Sequence, residues 1–235
     1  MDIAIITGGS SGLGFEIARN LVENNINVLL VSRSKSKLKY AKDQMTAEGN
    51  SLVETFSCDI GNENMVKNLY KFVSDRNYHV NYLFNVAGIG LYSSVDEITL
   101  GDIQKIFASN LIGLMLICKT FINHFNSNSH NARIVNILST AALKGKKMES
   151  IYYAAKWGAR GFTESLKDEL QDTNTEIITV YPGGMKTPFW EDSKASYETS
   201  DFMDPSEVGK VITDIALNHK VYISELTINR PKQRD

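Results

Sequence analysis

Short apolar runs alternate with longer amphipathic stretches along the chain. The runs are Ile3–Ile6, Asn27–Val31, Leu52–Ser57, Val80–Val86, Ile134–Leu138, Glu176–Tyr181 and Lys220–Ile228. Short apolar runs bounded by turn residues predict strands. Between them, helices are predicted over Phe15–Asn24, Ser36–Glu48, Gly61–Ser74, Asp102–Phe125, a stretch through Tyr152 to about Leu170, and Asp204–Asn218. In Gly61–Ser74 the residues Met65, Val66, Leu69 and Phe72 fall near one helical face. Asn126–Asn131 reads as a polar loop, and a charged tail follows Pro231. Trp190–Met203 has no clear period, so a mobile lid is expected within about 184–205. Strands and helices alternate without a linker or a shift in composition. That pattern predicts one doubly wound α/β domain over residues 1–235, with a mainly parallel seven-stranded sheet.

The ends of the strands carry the unusual residues. The first run ends in Thr7-Gly8-Gly9-Ser10-Ser11-Gly12-Leu13-Gly14 and passes directly into a helix. Glycines let backbone approach a phosphate closely, and a helix N-terminus offers N–H donors and a positive dipole end. The spacing Gly-x-x-x-Gly-x-Gly differs from the usual dinucleotide fingerprint, so position after the first strand carries the phosphate reading. The second strand ends at Ser32-Arg33 with no carboxylate. An acid there would bond a ribose 2′-hydroxyl, whereas a base accommodates a 2′-phosphate, so NADP(H) is expected over NAD(H).

Tyr152 and Lys156 are four apart on a predicted helix and share one face. A nearby ammonium favours the phenolate, which predicts a tyrosine tuned toward neutral pH and able to exchange a proton with an alcohol oxygen. Ser139 ends the preceding strand and is placed to face the same oxygen. Alone, Tyr-x-x-x-Lys is a weak signal in a chain with ten tyrosines.

Composition narrows the partners. The chain has 25 basic and 27 acidic residues, a net charge of -2, so nothing in its charge proposes nucleic acid. Cys58 and Cys118 stand in no metal or redox spacing, the four histidines are scattered, and no metal site is expected. The N-terminus lacks the pattern of a signal peptide, and the apolar run Leu111–Cys118 is too short to span a bilayer. A cytoplasmic, reducing location without membrane contact is therefore expected.

Together these motifs resemble the short-chain dehydrogenase/reductase family, over nearly the whole chain. Thr7-Gly8-x-x-x-Gly12-x-Gly14 is similar to its cofactor turn, and Asn85-x-Ala87-Gly88 to its Asn-Asn-Ala-Gly motif, departing at Val86. Asn110, Ser139, Tyr152 and Lys156 fall in the order of its catalytic tetrad. The resemblance implies a Rossmann-type fold and places Asp59 and Ile60 at the adenine ring. It also brings Ser10, Ser11 and Leu13 to the cofactor, and Pro182, Gly183, Met185 and Thr187 to the nicotinamide carboxamide. It implies that Lys156 holds the nicotinamide ribose and that Asn110 fixes Lys156 through a water. A homo-dimer or homo-tetramer is expected on the same ground.

The implied function is NADP(H)-dependent interconversion of a carbonyl and a secondary alcohol on a small molecule. Two alternatives stay open: a 3-oxoacyl thioester reductase and a catalytically idle NADP(H)-binding sensor. The ending Tyr222-Ile-Ser-Glu-Leu-Thr-Ile-Asn-Arg-Pro lacks the Val-Asp-Gly-Gly of acyl-carrier-protein reductases and is more similar to carbonyl or sepiapterin-like reductases. Phe189 and Trp190 are either an apolar lid or core. Lys144, Lys146 and Lys147 are either a solvated loop or an attractor of anionic substrates.

Overall fold

The computed structural model describes residues 1–46, 51–127, 132–191, 193 and 197–231. The expected helix end at Glu48, most of the Asn126–Asn131 loop, residues 192 and 194–196 of the expected lid, and the tail beyond Pro231 lie outside the described residues. Seven strands form one sheet: β1 (Asp2–Thr7), β2 (Val28–Ser32), β3 (Val53–Ser57), β4 (His79–Asn85), β5 (Ala132–Ile137), β6 (Thr175–Pro182) and β7 (Glu225–Ile228). Their order is β3-β2-β1-β4-β5-β6-β7, and every pairing is parallel. The chain winds outward in both directions from the β1–β4 neighbourhood, which makes the fold Rossmann-like.

The helices are α1 (Gly12–Glu23), α2 (Lys35–Thr46), α3 (Glu63–Asp75), α4 (Leu100–Phe107), α5 (Gly113–Ser127), α6 (Ser150–Glu169) and α7 (Pro205–Leu217). Their starts follow local chemistry. Asn62 accepts the N–H of Met65 to cap α3, Thr99 and Asp102 form a reciprocal capping box on α4, and Asp204 with Pro205 opens α7. Strand alternation divides the core between two layers. Ile3, Ile5, Leu29, Val31 and Leu83 pack against α3, α5 and α6, while Ala4, Ile6, Val28, Leu30 and Phe84 pack against α1, α2 and α7.

Three predictions change. The helix expected over Asp102–Phe125 is interrupted by one wide turn, Ala108–Ile112, of i→i+5 geometry, and Asn110 sits in that turn. The strand expected from Lys220 begins only at Glu225. Residues 220–224 instead return the chain from α7 to the sheet edge, with Asn218 Oδ1 accepting the Lys220 N–H at 3.0 Å and Tyr222 donating to the Ile177 carbonyl at 2.7 Å. The continuous stretch Leu100–Phe125 is also long and apolar enough to cross a membrane by length and composition, which the shorter run Leu111–Cys118 was not. Its inner face, with Ile106, Leu114, Ile117, Phe121 and Phe125, is packed in the core.

Candidate active site

All the strands run parallel, so their C-terminal ends share one rim of the sheet. A cleft of about 890 Å³ opens along it, from the ends of β1 and β2, past β4 and β5, to β6 and the segment after it.

At the β1 end, Gly8 has φ +71 and Gly12 φ +55, left-handed conformations that favour glycine. A Cβ on Gly14 would lie 2.4 Å from the Gly8 carbonyl oxygen, so the turn packs on itself at a distance only glycine permits. The N-cap of α1, Ser11, makes no side-chain capping bond, and the first turn carries no acid. The leading N–H groups of a twelve-residue helix therefore face the cleft with the positive dipole end and no competing side-chain acceptor. That arrangement fits a pyrophosphate.

Ser32, Arg33, Ser34 and Lys37 line the cleft at the end of β2, and the Ser32 hydroxyl is buried without a partner among the described residues. Two bases and the unpartnered Ser32 hydroxyl at this point fit a phosphorylated ribose. Ser34, just before α2, and Lys37, on its first turn, escaped the sequence reading because they lie beyond the strand end. Asp59 and Ile60 line the next wall, where Asp59 Oδ1 accepts the Gly61 N–H at 3.0 Å.

Some predicted residues stand behind the cleft wall. Thr7 Oγ1 accepts the N–H groups of Val86 (3.0 Å) and Ala87 (3.3 Å), which fixes the turn after β4 against β1. Ala87 and Gly88 themselves line the cleft. Asn85 is buried in a polar chain. Its Nδ2 donates to Asn136 Oδ1 at 2.9 Å, Asn136 Nδ2 donates to Thr163 Oγ1 at 3.1 Å, and Thr163 donates to the Ala159 carbonyl at 2.8 Å. This chain ties β4 and β5 to α6, the helix that carries Tyr152 and Lys156. No sequence signal identified Asn136 or Thr163, since each has meaning only through its partner.

Tyr152, Lys156 and Ser139 meet at the β5 end of the cleft. Lys156 Nζ lies 5.9 Å from the centroid of the Tyr152 ring and donates to the Ile137 carbonyl at 3.4 Å. Burial pulls its pKa from 10.5 down to about 8. Asn110 donates to the carbonyls of Ile89 (2.9 Å) and Ile106 (3.0 Å), while its Oδ1 is buried without a partner among the described residues. A Cβ on Gly88 would lie 2.7 Å from that oxygen and 3.5 Å from Lys156 Nζ. An unsatisfied acceptor and a buried ammonium thus flank one point, which fits a bridging water. Ser139 Oγ accepts the Ala141 N–H at 3.0 Å, which leaves its proton free to donate.

Tyr152 departs from expectation. Burial pushes its pKa up; a hydrogen bond with Ser139 opposes this, and the charges of Glu149 and Tyr153 reinforce it. The lowering expected from Lys156 does not dominate, because the phenol is removed from water.

Beyond Tyr152 the wall is aromatic. The Phe189 ring lies 5.8 Å from Tyr152 and 5.1 Å from Trp190, and Trp190 lies 5.2 Å from both Tyr197 and Phe202. Phe189 and Trp190 are half-buried and line the cleft. Pro182, Gly183, Met185 and Thr187 line the facing wall, held by a bridge between Met185 and Met203. The three lysines separate. Lys146 bonds Tyr197 at 2.7 Å and pairs with Glu149 at 3.0 Å, Lys144 lines the cleft, and Lys147 does not.

A family model described as short chain dehydrogenase matches residues 2–198. Carbonyl reductase family member 4 from Xenopus tropicalis is 31% identical over 215 residues, covering 89% of each chain. Sepiapterin reductase from Chlorobaculum tepidum is 28% identical over 241 residues, covering 99% of this chain and 97% of its own. Among solved structures, a variant of actinorhodin polyketide ketoreductase with NADPH superposes with a TM-score of 0.87 at 25% identity, covering 97% of this chain and 96% of that one.

Proposed function

The chain belongs to the short chain dehydrogenase family, and from that premise we propose that it is an NADP(H)-dependent reductase of a small-molecule carbonyl, with Tyr152 as the proton donor. The observation that carries this is the meeting of Tyr152, Ser139 and Lys156 at one end of a cleft whose other end presents Arg33 and Lys37. The NADPH in the polyketide ketoreductase structure supports the choice of cofactor, and the carbonyl reductase relatives support the reaction class.

In this reading the α1 N-terminus and its glycine turn hold the pyrophosphate, and Arg33, Lys37, Ser32 and Ser34 hold the 2′-phosphate end. When bound, the reduced nicotinamide supplies the hydride. The Tyr152 hydroxyl donates its proton to the carbonyl oxygen, and the Ser139 hydroxyl donates a hydrogen bond to the same oxygen and orients it. Lys156 and a water on Asn110 Oδ1 return a proton to the phenol. Burial keeps Tyr152 protonated, which suits proton donation to a carbonyl, whereas alcohol oxidation draws on the deprotonated phenol and is expected to speed up as pH rises. Tyr152→Phe removes the donor and leaves the ring. It is expected to bind NADPH as the wild type does and to lose turnover by at least about a hundredfold. A variant that kept wild-type turnover would remove Tyr152 from the mechanism.

The exposed face formed by the wide turn before α5 and by α6, with Ile112 43% and Trp157 48% exposed, is proposed to pair with a second copy of the chain. Sedimentation as a single 26.2 kDa species would contradict that pairing. The two cysteines are buried and unpaired, which is compatible with the proposed reducing, cytoplasmic location.

A further inference from the structure

Glu149 is a buried carboxylate that the reaction above does not use. It stands one turn before Tyr152, at the start of α6, and only 9% of it is exposed. Although it occupies the N-cap position, its side chain makes no capping bond. It lines both the main cleft and a small adjoining cavity walled by Tyr152, Phe189, Trp190 and Tyr197. The preceding residue, Met148, is held at φ +69, a conformation uncommon outside glycine, and its carbonyl accepts the Ser93 N–H at 2.8 Å. Strain of this kind gathers where a side chain is aimed for function.

The contacts of Glu149 leave capacity. Tyr197 donates to Oε1 at 2.5 Å, and Lys146 lies 3.0 Å from the same oxygen, so Oε2 carries neither contact. The Lys146 side chain is 49% exposed and its charge is screened by water, whereas that of Glu149 is 10% exposed. The carboxylate and the phenol share an environment closely enough for the charge of Glu149 to raise the pKa of Tyr152.

Taking carbonyl reduction at Tyr152 as given, we propose that Glu149 determines substrate specificity. Its Oε2 accepts a hydroxyl or N–H proton from the substrate, while Phe189 and Trp190 cover a planar apolar body. The pair with Lys146 is close to neutral as a unit, so the matching group is a neutral donor. The backbone positions of Glu149 and Tyr152 are about 4.5 Å apart along the helix axis, so the matching group lies close to the carbonyl rather than at the far end of the substrate. The substrate class is thus an aromatic or other planar ketone or aldehyde bearing a ring hydroxyl or N–H.

The test compares meta-hydroxyacetophenone with its methyl ether, using NADPH and the wild type, Glu149→Ala, Glu149→Gln and Tyr197→Phe. A hydrogen bond to a charged acceptor corresponds to about tenfold or more in kcat/KM. The wild type is expected to prefer the hydroxy ketone. Glu149→Ala loses about tenfold or more on that ketone alone, and Glu149→Gln regains part of the loss. Tyr197→Phe, which loses the anchoring bond and keeps the carboxylate, changes kcat/KM on both probes by the same factor and so retains the preference for the hydroxy ketone. Removing the charge also shifts the alkaline limb of kcat/KM to lower pH, which a purely structural role would not do. Equal losses on both probes in Glu149→Ala, or no loss on either, overturn the proposal. So does wild-type reduction of other carbonyls with neither probe accepted. Absence of any carbonyl reduction overturns the reductase reading beneath it.

Discussion

Replacing Lys156 by methionine separates the electrostatic cost of the site from its chemistry. The residue is 4% exposed, and among the described residues its ammonium makes one hydrogen bond, a long one to the Ile137 carbonyl at 3.4 Å. Burial lowers its pKa from 10.5 to about 8. Between those values the unfolded chain binds more protons than the native one, so this group's contribution makes stability rise with pH. Its full cost is present below pH 8 and is gone above pH 10.5. At about 1.4 kcal/mol per pKa unit, the gap corresponds to about 3 kcal/mol. Roughly 2 to 3 kcal/mol of that is recovered between about pH 7 and pH 10. Cys58, raised to about 11, and Cys118, raised to about 12, act in the opposite sense above their ordinary value of 9.0, because the native state keeps their protons longer. The observable is therefore the difference between the two proteins at each pH. Urea unfolding without cofactor is expected to find Lys156→Met more stable by about 3 kcal/mol near pH 7, falling below about 1 kcal/mol near pH 10. A pH-independent offset, or a variant less stable at neutral pH, would refute the assignment of a buried, uncompensated ammonium.

Arg33→Ala is expected to weaken NADPH binding by about tenfold or more while changing NADH binding little, as read by titration of cofactor fluorescence; equal losses for both would contradict the 2′-phosphate role. Gly14→Ala places a Cβ 2.4 Å from the Gly8 carbonyl oxygen, so binding of either cofactor is expected to be lost, and retained affinity would show that the turn relaxes. Arg133, 2% exposed, bonds Glu176 at 2.6 Å and the Ala216 and Asn218 carbonyls at the end of α7 at 2.8 and 2.6 Å. Arg133→Leu is expected to reduce stability by about 3 kcal/mol or more in urea unfolding, and a loss under about 1 kcal/mol would contradict that anchoring.

The sheet was legible because Ile3–Ile6 and Ile134–Leu138 are short apolar runs, buried on both faces, that end in polar residues at the rim. The placing of Ser139, Tyr152 and Lys156 at one end of the cleft, and of the glycine turn at the other, was legible because their spacing is local or follows strand ends. What stayed hidden depends on partners distant in sequence. The late start of β7 follows from Tyr222 reaching Ile177, and the Asn85–Asn136–Thr163 chain exists only once β4, β5 and α6 are packed. Spacing brought Tyr152 near Lys156 but said nothing of burial, which reverses the expected direction of its pKa. Lys146 read as part of a solvated loop or as an attractor of anionic substrates; it pairs with Glu149, three residues on, and bonds Tyr197, a partner 51 residues later that local spacing cannot announce.

The most direct measurement is oxidation of NADPH and of NADH by the wild type and by Tyr152→Phe, against aldehydes, diketones, 3-oxo esters and hydroxylated aromatic ketones. Turnover with NADPH exceeding that with NADH, on at least one carbonyl class, and its loss in Tyr152→Phe with NADPH binding intact, is the predicted result. Binding of both cofactors with no turnover on any carbonyl, or equal turnover by the phenylalanine variant, would contradict the account.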